Sequence, residues 1–295
     1  MTSAHRWRAR ARALLGLSTL AWAGLAGAAA DIDALWDFTR PAVSEQRFRA
    51  ALAQADGDAA LVLRTQIART LGLRGRFEEG HRELDEVDRQ LVAAGPEPRV
   101  RARLERGRLL RSSGHPGLAR PLFVQAYDTA EAHGLAALAG DALHMVALVE
   151  PTLEGQLAWN QRTIDHARAA SDPKARRWEA PALNNMGSSL RSAGRLEPSL
   201  AVFRQALAAY ERLGRPDRIA FARWQVAHGL RLLGRLDESL ALLLALEREG
   251  ALRGVPDPDV LQELALLYDA LGDDRQAARY RALRHRAQST MKEAA

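Results

Sequence analysis

The sequence predicts an all-α chain of antiparallel helical hairpins stacked into a solenoid of about six repeats. The first observation behind this is composition: Ala, Leu, Arg and Glu dominate, aromatics are only 5%, and β-branched residues are scarce, a balance that favours helix. The second is the stretch from Ala180 to Tyr210. Leu183, Met186, Gly187 and Leu190 share one helical stripe, Gly194-Arg195 breaks it, and Leu196, Leu200, Phe203, Leu207 and Tyr210 resume the spacing of a single apolar face. The third is recurrence. Turn glycines stand at Gly75, Gly114, Gly194, Gly234 and Gly272, at intervals of 39, 80, 40 and 38, so a degenerate copy is expected near residue 155. One hairpin cannot bury its apolar face alone, so its neighbours must cover it.

Taken in order, residues 1–30 read as a secretory signal peptide. Arg6, Arg8, Arg10 and Arg12 precede an uncharged apolar run from Ala13, which ends in the small residues Ala28-Ala29-Ala30 before Asp31. An uncleaved anchor is the alternative, because the run is about as long as a minimal membrane span. Cleavage takes away four Arg and no acid, which lowers the net charge from +6 to +2. The case for nucleic acid as a partner weakens accordingly. The expected location is therefore the periplasm, with an inner-membrane anchor facing the periplasm as the alternative.

Residues 31–56 read as an atypical capping hairpin, with Trp36, Phe38 and Pro41 followed by Phe48, Ala51 and Leu52 at helical spacing. Residues 57–290 hold the repeats. The degenerate copy is read as a helix from Asp141 to Glu150, a turn from Pro151 to Gly155, and a second helix from Gln156 to Ala170. Pro96, Pro98, Pro173, Pro216, Pro256 and Pro258 fall between hairpins, where helices stop. Pro121 lies deeper in a second helix, which predicts a late start or a kink there. The arginine-rich stretch from Arg275 to Ala287 suits the polar outer face of a C-terminal cap.

Aligned on the turn glycines, other positions recur. Seven residues before the turn come Ala68, Gly107, Gly187, Ala227 and Ala265; five after it come Gly80, Ala119, Ser199, Ser239 and Ala277. Nine after it stand Leu84, Phe123, Phe203 and Leu243, with Arg281 in the last copy. In the best copy Met186-Gly187, Leu190, Gly194, Ser199, Phe203 and Ala206 resemble the tetratricopeptide repeat (TPR) motif, and the resemblance covers residues 60–284. The usual early Trp is mostly absent, Trp224 being one position off, and the period is near 40 residues rather than 34. The chain is also similar to uncharacterised bacterial TPR proteins with this long period. The resemblance implies a right-handed solenoid that binds a protein or peptide segment along its concave face.

No phosphate loop, HExxH pair, nucleophile elbow or calcium loop is present, and there is no cysteine. His81 and Asp85 share a helix face, but two ligands make no metal site. The expectation is a non-catalytic scaffold without cofactor or metal. The readings set against it are a nucleic-acid-binding solenoid, a peptide-sensing regulator, and an enzyme of unknown type around His144 and Glu150. In TPR solenoids the first helices line the concave side, and counting back from the turn glycines gives the candidate groove. It comprises Arg69; Arg108 and Arg111; Asn184, Asn185, Ser188 and Arg191; Trp224, Gln225, His228 and Arg231; and His144 from the degenerate copy. Glu105 and Glu263 fall on the same face. Arg holds carboxylates bidentately and Asn bonds peptide backbone, so the expected ligand is an acidic or C-terminal peptide. Trp159 and Trp178 are expected to pack between repeats.

Overall fold

The computed structural model describes residues 31–293; the expected signal peptide at residues 1–30 lies outside them. Fifteen helices and no strand are present among the described residues. A short α1 (Ile32–Leu35) and α2 (Pro41–Leu52) precede six antiparallel hairpins. These are α3 (Gly57–Leu73) with α4 (Phe77–Asp88), α5 (Pro96–Ser112) with α6 (Pro116–Ala132), and α7 (Ala136–Ala147) with α8 (Leu153–Ala169). After the short α9 (Pro173–Arg176) come α10 (Glu179–Ser192) with α11 (Leu196–Leu213), α12 (Pro216–Leu232) with α13 (Leu236–Leu252), and α14 (Pro258–Leu271) with α15 (Asp274–Glu293). No described helix is long and apolar enough to cross a membrane.

The turn glycines do what their spacing implies. Gly75, Gly114, Gly194, Gly234 and Gly272 all have φ between 72° and 90°, the left-handed region that a side chain disfavours. The long period is also accounted for. In α5 with α6 and in α12 with α13, two helices of 17 residues are joined by short connections, so each repeat is longer than the usual motif.

The recurring small residues mark where helix meets helix. A Cβ on Gly187 would lie 2.8 Å from the Phe203 ring, and one on Gly107 would overlap Phe123, so each glycine leaves room for the aromatic of its partner helix. Both rings are buried, at 1% and 0% exposure. Ser199 Oγ donates to the Gly187 carbonyl at 2.7 Å and Ser239 Oγ to the Ala227 carbonyl at 2.8 Å, which ties the two helices of those hairpins together. The apolar clusters follow one another along the chain, each drawing on adjacent helices, rather than forming one central core.

Two local expectations are corrected. The first helix of the degenerate hairpin runs Ala136–Ala147, not Asp141 to Glu150. Gly134 takes φ 67° and Leu135 N–H donates to the Ala130 carbonyl at 2.8 Å, so α6 ends in a tight turn and the chain re-enters helix at once. Leu135 provides no capping side chain, which leaves that start unmarked in sequence. Pro121 delays nothing either: α6 begins at Pro116 and continues through it. The ring sits on an exposed face near the helix start, where water can bond the carbonyl left without a donor.

Candidate functional site

The first helices α3, α5, α7, α10, α12 and α14 bring the candidate residues onto one face, but they do not leave them free. Arg108 donates to Glu105 at 2.5 Å and to Asp141 on the next first helix. Glu105 also lies 3.6 Å from Arg69 on the preceding one. Burial works against the charge of Arg108, yet Asp141 and Glu105 outweigh it and hold its pKa above the usual range. Asp141 is likewise desolvated, and Arg108 and Arg69 still keep its carboxyl below the ordinary value. The expected cationic row is here a ladder of alternating charge that joins three hairpins.

The same arrangement recurs further along. Glu263 on α14 is 2% exposed and accepts from Arg231 Nε at 2.5 Å and from His228 Nδ1 at 2.9 Å, both on α12. Burial opposes the ionisation of Glu263, but the hydrogen bonds from His228 and Arg231 prevail and lower its pKa. Removing one partner of such a buried set leaves the other charge uncompensated.

Between the two ladders the face is richer in amides. Arg191 donates to the Gln225 carbonyl oxygen at 2.7 Å and lies over the Phe203 ring at 5.1 Å. Gln225 reaches Asn184 at 3.5 Å. Arg191 makes no ion pair with a described residue, and burial lowers its pKa. Arg111 is exposed and unpaired among the described residues, and Ser188 is half-buried. Trp224 is stacked between Phe221, at 6.1 Å, and His228, at 5.3 Å, and its Nε1 donates to the Asp259 carbonyl at 3.2 Å. Phe221 is 40% exposed, so this aromatic row reaches solvent.

His144 is packed rather than presented. Its ring lies 5.0 Å from that of Trp178, and Asn185 Nδ2 is 3.3 Å from its Nδ1. Burial pushes its pKa down to about 4 despite the pull of Asp141, so it is neutral near pH 7. Trp178 bonds the Ala137 carbonyl at 3.0 Å and covers Gly140, where a Cβ would lie 2.6 Å from the indole. It fills the gap between α7 and α10 on the groove side. His81 and Asp85 are joined through Arg106, which reaches them at 3.2 Å and 2.7 Å and Asp88 at 2.7 Å. Among the described residues no group of three or more side chains that could hold a metal is found.

What the sequence missed was the role of the acids. Glu105 and Glu263 were legible as groove positions, whereas Asp141 was hidden by the misplaced start of α7. A separate apolar concavity of about 650 Å³ was not anticipated either; it lies among the end of α13, the start of α14 and α15, where Val255, Val260, Leu261 and Leu283 meet.

No protein-family model matches the chain, and no curated protein matches it in sequence. Solved structures do match its fold. The signal-transduction ATPase with a tetratricopeptide repeat sensor from Pyrococcus horikoshii aligns over 86% of this chain with TM-score 0.68 at 12% identity, and the chain spans 40% of that protein. The putative kinesin light chain TPR-like repeats of Podospora anserina align over 65% of this chain and 94% of their own, with TM-score 0.52 at 13% identity. A Rap protein in complex with competence and sporulation factor aligns over 85% of this chain and 81% of its own, with TM-score 0.54 at 13% identity. Hairpin order, turn glycines and these alignments agree that the chain folds as a TPR-like α-solenoid.

Proposed function

We propose that the protein is a non-catalytic scaffold that binds an extended peptide or protein segment along its concave face, chiefly over α10, α12 and α14. The observation that carries this reading is the row formed by Asn184, Asn185, Arg191, Trp224 and Phe221, with Gln225 buried beneath it. It offers amide hydrogen bonding, one cation without a carboxylate partner, and aromatic surface within reach of solvent. A segment laid there can pair its backbone with amides and seat an apolar side chain on the aromatics. The Rap structure, which holds competence and sporulation factor, is a solenoid of similar fold engaged with a ligand.

The expected preference for acidic ligands narrows. Arg69, Arg108 and Arg231 already face Glu105, Asp141 and Glu263, so a ligand carboxylate has Arg191 and Arg111 to meet. One or two acidic positions in the partner fit that count better than an acidic tract. The proposed location is the periplasm, on the strength of the charged, apolar and small-residue regions of residues 1–30.

The test is capture of partners from envelope extract by the chain without residues 1–30. It is compared with an Arg111→Ala/Arg191→Ala/Phe221→Ala variant of equal helicity and with a variant carrying Arg204→Ala/Gln205→Ala on α11. Partners lost only with the first variant support the groove. Partners lost only with the second overturn it in favour of the other face.

A further inference from the structure

The N-terminal half of the same face is already covered, by the chain itself. Trp36 Nε1 donates to Gln66 Oε1 on α3 at 3.1 Å, and its ring stacks on Phe38 at 4.5 Å with the planes 1° apart. The Arg69 guanidinium lies 5.5 Å from both rings. Gln66 and Arg69 are the α3 positions that face the groove in the adjoining repeats, so the aromatic pair sits in the groove and not behind it. From there α1 runs across to α9, where Asp33 meets Lys174 at 2.9 Å and Arg177 at 3.8 Å. Arg177 directly precedes Trp178, which seals the gap between α7 and α10. Arg101 on α5 adds to the positive field around Asp33. The segment 31–38 therefore links α3 to α9.

It is also held loosely. No residue of α1 is buried, Phe38 is 59% exposed, and the Asp33 and Lys174 side chains are 48% and 59% exposed. Exposed ion pairs hold little and are screened by salt, and an element with few buried contacts opens before the rest of the fold. Ile32, Leu35 and Trp36 reach the cluster of Phe48, Leu63, Ile67 and Leu71 but stay only half-buried there, and Trp36 adds an edge contact with Phe48 at 5.1 Å.

We infer that residues 31–38 are an exchangeable strap, an internal occupant of the groove over α3 to α9 whose release exposes a receptor for segments of the form acid-x-x-Trp-x-Phe. The inference rests on reading the concave face as the binding face, and it extends that reading to the half the strap covers. The pattern is the chain's own: the carboxylate of Asp33 goes to Lys174 and Arg177, the indole of Trp36 to Gln66, and the paired rings to Arg69. A partner bearing the same three features competes with the strap; one lacking the aromatics does not.

Two measurements on the full chain test this without any unidentified partner. The first is hydrogen exchange at amides 32–38 in wild type and in Asp33→Lys/Phe38→Ala, two substitutions at exposed side chains. At least a fivefold faster exchange there, with Pro41–Leu52 unchanged, is expected. Equal acceleration in both segments makes the strap part of the cap and overturns the inference. The second is a fluorescence anisotropy titration with a labelled synthetic peptide of residues 31–40. At least fivefold tighter binding to the variant than to wild type is expected, abolished in a peptide carrying Trp36→Ala and reduced by 0.5 M salt. No binding, equal binding to both chains, or binding that ignores Trp36 overturns it. Because Arg191, Trp224 and Phe221 play no part in either measurement, failure here leaves the proposal for α10 to α14 standing, and the converse holds too.

Discussion

Phe203 and Gly187 are a matched pair, and the match tells apart glycines that sequence alone treats alike. A methyl group on Gly187 would lie 2.8 Å from the buried ring, so Gly187→Ala must displace Phe203 within a close-packed layer. The expected loss is about 1–3 kcal/mol, the range for overpacking. Gly229 is helical as well, but a Cβ there meets only Leu200 Cδ1 at 3.5 Å, an ordinary contact. Gly229→Ala should stabilise by about 0.5–1 kcal/mol through helix propensity. Urea midpoints that move in opposite directions for the two variants check the pairing, and a stabilised Gly187→Ala would refute it. His144 gives a second test at this scale. Its folded pKa of about 4 lies below the value near 6.5 of the free side chain. Between those values the unfolded chain takes up a proton that the folded chain refuses, so stability falls as pH drops from 6.5 to 4. At 1.36 kcal/mol per unit the fall is of order 3 kcal/mol at most. His144→Gln should flatten the urea midpoint over that window. An unchanged slope would assign the loss to other groups, among them Glu263, whose lowered carboxyl begins to lose its contribution as the pH falls through the ordinary carboxylate range.

Helix identity was legible where a backbone requirement forces a residue type, and illegible where packing alone decides. The turn glycines announced themselves because each occupies the left-handed region, and the apolar stripe from Leu196 to Tyr210 announced α11. The helix α7 was found but its start was misplaced, because it is apolar along nearly its whole length and its N-cap is Leu135, so neither period nor cap marks where it begins. Pro121 misled for the opposite reason: a strong local signal met a site where it costs little. Its ring is exposed, and the Gly117 carbonyl it leaves without a donor lies in the exposed first turn of α6. Restoring the donor with Pro121→Ala should stabilise the protein by about 1–3 kcal/mol, since an interior proline costs about 3 kcal/mol and this one sits close to the end. Hydrogen exchange should then show a protected amide at position 121. Loss of stability would mean that the proline shapes the packing of α6 against α7.

At the scale of the whole molecule, sequence spacing put the candidate residues on one face but could not name their partners there. Arg108 finds Asp141, and Arg231 finds Glu263, one hairpin further along the chain. Helical periodicity says which face a residue occupies and nothing about what the neighbouring hairpin places opposite. The groove therefore read as cationic when it is largely neutralised. Those cross-hairpin pairs also bear on cooperativity, because a solenoid unfolds as one unit only while every interface between neighbours is favourable. The third and fourth hairpins meet through α8 against α10 on one side and through a single indole between α7 and α10 on the other. There α9 intervenes and Trp178 fills the space, bonded to Ala137 with the His144 ring tilted against it, while Ile164, Gln156 and Arg168 of α8 make contact on the far side. Trp178→Ala should remove about 3–5 kcal/mol, the range for truncating a large packed aromatic. Because that loss falls on one interface, urea unfolding followed by circular dichroism should resolve into two transitions. The early one would belong to one side of α9 and the late one to the other. Trp224→Ala, which truncates an indole in the open row of α12, should keep a single transition. Two transitions in both variants, or one in both, would show that cooperativity in this solenoid does not hinge on the indole between its third and fourth hairpins.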